Sequence, residues 1–160
     1  MKMQAIETTI NAAESFERQL NQFKSLHHSQ CLFKRNPLVK NLKFRFKKNG
    51  NLCGQFVCTE EHQGYDDMVH GGIIAAIIDA SMTQCLMGHG IAAYTVNLSI
   101  TYLEPISIGI QTILETRITA SRRSMIYNLE CEIRQNRWLK VQANSRFFKV
   151  RKPDSFHHAR

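Results

Sequence analysis

Proline is scarce in this chain, three among 160 residues, and glycine contributes only eight. No Pro-, Gly- or Ser-rich stretch marks a linker between domains, and no segment repeats at a fixed period. Long apolar runs are missing too. The longest, Ile73 to Ile78, stops at Asp79, far short of the ~20 residues of a membrane helix. The first residues carry Glu7, Glu14 and Glu17 and no compact apolar stretch, unlike a secretory signal. Cysteine is present as an odd set, Cys31, Cys53, Cys58, Cys85 and Cys131, with no CxxC pair. That argues against a disulfide framework and for a reducing compartment, so a cytoplasmic protein is expected.

What is present reads as one globular domain. Hydrophobic residues make up 43% and charged residues 21%, enough apolar matter for a core and too little charge for a disordered chain. The excess of Lys and Arg gives a net charge of +8. It points to a polyanionic partner: a nucleic acid, an anionic membrane surface or a phosphorylated cofactor.

The apolar period changes along the chain. Phe16, Leu20 and Phe23 share one helical face, predicting a short amphipathic helix over residues 15–26. From Asn41, apolar Leu42, Phe44 and Phe46 alternate with basic residues, and Asn49-Gly50 turns that strand into a partner over 52–59. A loop over 60–69 leads into HGGIIAAIIDASMTQCLMGHG, the one long helix expected. Four strands follow, over 95–103, 110–119, 124–134 and 138–150. In the first, Val96, Leu98, Ile100 and Tyr102 alternate with Thr95, Asn97, Ser99 and Thr101. The order predicts an antiparallel α+β sheet wrapped around a long central helix. Residues 1–40 are expected as an N-terminal helical segment, 41–150 as the domain proper and 151–160 as a flexible tail.

Two features of the long helix carry chemistry. Gly71 and Gly72 follow His70 where the loop becomes helix, and glycines there admit a ligand to N–H groups that lack intrahelical partners. The reading is an anion or oxyanion site; close packing of helix on sheet is the alternative. Asp79 interrupts the apolar helix on the side opposite the isoleucines, among Ala75, Ala76, Met82 and Leu86. Desolvation makes a carboxylate more basic, so Asp79 is a candidate general base, or else a residue on a solvent-facing side. Gly71 and Asp79 are eight residues apart, roughly 12 Å along the axis. If both act on one carbonyl, the carboxylate comes from a second copy of the chain across a two-fold interface.

VHGGIIAAIIDAS, YTVNLSITYLEPISIG, ASRRSMIYNLECEI and LKVQANSRFF together resemble the hotdog-fold acyl-CoA thioesterases of the phenylacetate-degradation (PaaI) type, over about residues 42–150. The resemblance implies that the Gly71 N–H polarises a thioester carbonyl, that Asp79 of the partner subunit is general base or nucleophile, and that Thr95 orients the attacking water. It implies that His70 mainly shapes the loop, that Gly72, Gln63 and Gly64 adjoin the substrate with it, and that the chain forms a homodimer or homotetramer. No cofactor is expected, coenzyme A being part of the substrate, and no metal. Many relatives carry Asn or Gln where this chain has Gly64; His62, Gln63 and Asp67 are the polar neighbours available to replace it. A non-catalytic acyl-CoA binding or sensing protein on the same fold is the alternative.

Arg122 and Arg123, in a turn between strands, match a basic position near coenzyme A in similar proteins and could hold its phosphates, or form an ordinary solvated turn. Lys43, Arg45, Lys47 and Lys48 make a basic strand face without interleaved exposed aromatics, so nucleic-acid binding is not expected. His27, His28 and Cys31 lack a second ligand pair and do not read as a zinc site. Cys85 has no activating neighbour and reads as core.

Overall fold

The computed structural model describes residues 2–28, 31–36 and 42–150; the tail expected at 151–160 lies outside them. Helix α1 spans Lys2–His27 and α2 Leu32–Arg35; strands β1 and β2 span Lys43–Phe46 and Leu52–Val57. After a 3-10 turn at Glu60–His62 comes helix α3, Gly71–Gly88, followed by β3 (Ala93–Tyr102), β4 (Gln111–Arg122), β5 (Ile126–Gln135) and β6 (Trp138–Lys149). The strands form one six-stranded sheet in the order β1-β2-β4-β5-β6-β3, every neighbouring pair antiparallel. This is the α+β architecture expected, a sheet around a central helix.

Helix α1 corrects the expectation of a short N-terminal helix and of one long helix only. At 26 residues it exceeds the 18 of α3. Its first half has no Gly or Pro to stop a helix and no clean apolar stripe for the period to reveal. Leu20 is buried with the core, and Phe16 stacks on Phe46 at 5.3 Å between ring centroids and against His89 at 4.6 Å.

Helix α3 has the length and hydropathy of a bilayer span, yet half of it is buried within the protein. Ile74, Ile77, Ile78, Met82, Cys85 and Leu86 are buried against the sheet. At about 100° per residue its buried side chains, Met87 at the far end apart, fill an arc of about 180°. That arc is wider than the isoleucines alone mark, because Met82 and Leu86 extend it. The Ser81 hydroxyl, fully buried, donates to the Ile78 carbonyl at 2.7 Å and meets the Thr116 hydroxyl at 2.8 Å, which fixes the helix's rotation against β4.

Strand β3 departs from simple alternation. Thr95 pairs with Phe147 and Asn97 with Arg146, so Val96 is an extra residue in a β-bulge. The bulge shifts the side-chain phase by one, turning Thr95 to the same face as Leu98 and Ile100 and leaving Val96 exposed. β3 is also a sheet edge, with Tyr94, Val96 and Tyr102 about half exposed along it.

Gly88 ends α3 against the Phe46 ring; a Cβ there would lie 2.1 Å from Phe46 Cζ. In an exposed helix Gly→Ala stabilises by about 1 kcal/mol. Here Gly88→Ala is expected to destabilise by about 1–3 kcal/mol, because the ring is held in the core; urea unfolding measures it.

Candidate active site

His70 is the N-cap of α3, its Nδ1 accepting from the Gly72 N–H at 2.9 Å, while its carbonyl accepts from Ile73 and Ile74. The first-turn N–H groups are thereby divided. Gly72 is satisfied by the imidazole, which must present Nδ1 unprotonated, and among the described residues only Gly71 of these keeps its N–H without an acceptor. The site expected from the glycine pair narrows to this one donor at the positive end of the helix dipole. The Tyr102 hydroxyl donates to the Gly71 carbonyl at 2.9 Å and holds the same residue from β3. Partial burial raises the Tyr102 hydroxyl above its ordinary pKa, which keeps it a donor. In the sequence Tyr102 is marked only as a strand residue, since its bond to the helix depends on how strand and helix cross.

Gly64 runs against His70. A Cβ at Gly64 would stand 3.0 Å from His70 Cα and 3.2 Å from its Cβ. A side chain there would therefore require His70 to shift. Of the three polar substitutes, His62 turns back on Thr59, within 3.0 Å of its N–H and hydroxyl. Gln63 and Asp67 are exposed on the loop, Asp67 in the left-handed region at φ 60°.

Asp79 lies at the margin of the buried arc, not opposite it. The Thr95 hydroxyl donates to its Oδ1 at 2.7 Å within the same chain, a bond that the bulge at Val96 makes possible. Asp79 and Gly71 remain about 12 Å apart along the axis, so one chain does not bring donor and carboxylate together.

Asp79 is on the wall of a cavity of about 440 Å³. Ala76, Ala80 and Thr83 of α3 form its floor, Phe44 of β1 closes one side, and Phe33 with residues around Cys31 closes another. Nothing in the sequence marks this cover, because periodicity within one segment says nothing about what the segment lies over. A larger depression of about 610 Å³ between α1 and the β1–β2 turn holds none of the candidate residues.

Arg122 and Arg123 are exposed in the β4–β5 turn, where Arg123 and Ser124 take φ of 51° and 52° and Met125 N–H bonds to the Arg122 carbonyl. Cross-strand register runs Arg122–Ile126–Phe148–Tyr94. The turn is thus at the sheet end where β3 begins, three strand spacings or roughly 14 Å away, clear of Asp79 but within the span of an extended ligand.

No group of three or more His, Cys, Asp or Glu among the described residues is arranged to hold a metal ion. Burial pushes the Cys85 thiol up to about 12, and those of Cys58 and Cys131 up to about 11. None is a nucleophile at neutral pH.

A sequence model of the Thioesterase superfamily matches residues 67–137. The mouse acyl-coenzyme A thioesterase THEM4 is 31% identical over 90 residues, which are 55% of this chain and 38% of that protein; the chain thus spans well under half of that relative's length. The E. coli PaaI protein of the phenylacetic acid degradation operon superposes with a TM-score of 0.70 at 10% identity, over 87% of this chain and 96% of that one. A Streptococcus mutans protein solved bound to acetyl CoA superposes with a TM-score of 0.65 at 19% identity, over 72% of this chain and 94% of the other. The fold is the hotdog fold of the thioesterases, and the sequence resemblance is to that superfamily.

At pH 8 about one in a thousand or fewer of the Cys58, Cys85 and Cys131 thiols is ionised, given values of about 11 to 12. Maleimide is therefore expected to label the folded protein at half-buried Cys31 and Cys53 only, and all five after unfolding, as peptide mass analysis would read.

Proposed function

We propose that this chain hydrolyses acyl-CoA thioesters to the free acid and coenzyme A, in sites built from two copies of itself. The observation that carries the reading is an open N–H at the start of α3 together with a carboxylate, Asp79, anchored by Thr95 on a cavity wall. The superfamily match and the mouse relative's printed activity support the choice of bond.

In this mechanism the Gly71 N–H polarises the thioester carbonyl and takes up the negative charge that develops on its oxygen. Asp79 accepts a proton from water as the water oxygen attacks the carbonyl carbon. The C–S bond then breaks, and the proton passes to the departing sulfur. In the nucleophilic variant, Asp79 attacks the carbonyl carbon, the C–S bond breaks to release the thiolate of coenzyme A, and water then cleaves the resulting anhydride to the free acid and the Asp79 carboxylate, a proton passing to the thiolate. Thr95 holds one carboxylate oxygen, leaving the other and its own lone pairs for the water. His70, Gly72 and Gly64 form the turn around the carbonyl, and Gln63 supplies the amide that Gly64 lacks. Arg122 and Arg123 take the phosphates of coenzyme A, which enters as part of the substrate. A reducing cytoplasm suits the five free thiols.

The second copy follows from the free edge of β3. Antiparallel pairing of two β3 strands centred between Leu98 and Ser99 sets Thr95 beside the partner subunit's Tyr102, and hence Asp79 beside the partner subunit's Gly71. A pair of such dimers would make the tetramer.

Free-thiol release from an acyl-CoA panel at about pH 7–8 tests the reaction. Asp79→Asn is expected to reduce turnover at least about 100-fold with folding and oligomeric state unchanged; binding without turnover by the unaltered chain would make it an acyl-CoA sensor instead. Gly71→Pro removes one N–H at a helix position that tolerates proline. Refolded as a mixture with Asp79→Asn, two inactive chains are expected to recover about a quarter of full activity, since half of the random dimers hold one intact site. No recovery would place Gly71 and Asp79 in the same site of one chain.

A further inference from the structure

Tyr102 makes a bond that the fold does not require. Helix α3 begins at Gly71, whose carbonyl is the ladder partner of the Ala75 N–H. The Tyr102 hydroxyl is a second donor to that oxygen, at 2.9 Å. The tyrosine is about half exposed, so water can satisfy its hydroxyl equally well, and exchanging one for the other stabilises the fold little. What the bond supplies is position. Helix ends fray, whereas the Tyr102 backbone is fixed. It pairs with fully buried Val141 of β6, and the N–H of the next residue, Leu103, bonds to the Lys140 carbonyl at 2.9 Å.

Both peptide planes that flank Gly71 are held. The one after it is gripped at two ends, by Tyr102 on the Gly71 carbonyl and by the His70 imidazole on the Gly72 N–H. The one before it has its carbonyl, that of His70, taken by the N–H groups of Ile73 and Ile74, and its other end is the open Gly71 N–H. With both planes fixed, the direction of that N–H is set. The chain itself does not demand glycine at this position. A Cβ on Gly71 would rest 3.6 Å from the Tyr102 ring, an ordinary contact, while one on Gly72 would stand 3.0 Å from the His70 ring. Glycine at 71 therefore keeps room beside Tyr102 for a group from outside the chain.

We infer that Tyr102 is a positioning residue whose hydroxyl, through the Gly71 carbonyl, aims the Gly71 N–H at the carbonyl oxygen of the bound thioester. A donor of this kind works by standing beforehand where the negative charge will develop, and a displacement of about 1 Å costs up to about 100-fold in rate. The strand tie removes that freedom from the first turn of the helix. The inference rests on the acyl-CoA reading for the carbonyl that the donor meets.

The test follows the bound carbonyl and the turnover separately. The tightest-binding acyl-CoA of the panel, prepared with an isotope-labelled carbonyl, is bound to Asp79→Asn and its carbonyl stretch read by infrared difference spectroscopy. Binding is expected to shift the band to lower frequency, adding Tyr102→Phe to reduce and broaden that shift, and adding Gly71→Pro to abolish it. With Asp79 intact, Tyr102→Phe is expected to lower kcat about tenfold with KM unchanged. Combined with Gly71→Pro it is expected to lower kcat no further, because the donor it aims is gone; a tyrosine that serves only the fold would lower it in both backgrounds alike. An unchanged band and kcat in Tyr102→Phe, an equal loss in both backgrounds, or separation of the variant into single chains on sedimentation overturns the inference, as does failure of every acyl-CoA to bind. A band that answers to Tyr102 and Gly71 without turnover in the unaltered chain keeps Tyr102 in its role and removes the hydrolase, whereas turnover indifferent to Tyr102→Phe does the reverse.

Discussion

The rotation of α3 within the sheet is the constraint on which the rest depends. A helix that buries about half of its circumference leaves only its margins for chemistry, and the Ser81 contact with Thr116 sets which residues those margins carry. One margin presents Asp79 to β3, the other Gln84 to the cavity. A turn of one residue one way would bury the Asp79 carboxylate without a partner, which costs more than a hydroxyl pair returns, and the other way would carry Gln84 into the core. The polar bond between helix and β4 therefore acts on the site without touching it.

Strand β3 serves the same helix at two points. Tyr102 bonds the Gly71 carbonyl at the helix start, and Thr95 bonds Asp79 about two turns later. Seven residues of regular strand would put these two side chains on opposite faces, and the extra residue at Val96 brings them onto one. The bulge thus aligns donor and carboxylate with a single strand edge. Because that edge is open, the two halves of the site are displayed where another strand can meet them.

The N-terminal segment contributes more than an extra helix. Phe16 and Leu20 join the core, while His28, Cys31 and Phe33 stand over the open side of α3 and make its alanine stripe the floor of a half-open cavity. Partial cover of this kind lowers the local dielectric and strengthens the bond between Thr95 and the half-buried Asp79 carboxylate.

The sequence by itself determined a good deal. Alternation and turn residues together marked the six strands, and the HGG turn and Asp79 were visible as the only glycine pair and the only charge in an apolar helix. Their spacing alone separated them by about 12 Å, so that a site using both on one carbonyl requires two chains. The tertiary structure alone decided that Gly72 N–H is taken by His70, that Thr95 faces inward, that α1 extends over 26 residues, and that Gln84 lacks a partner. The division has a physical reason. Periodicity records which residues of one element are buried, a local property, whereas a bulge, a roof or an unsatisfied amide depends on groups far apart in the chain, whose pairing is fixed only when the elements pack.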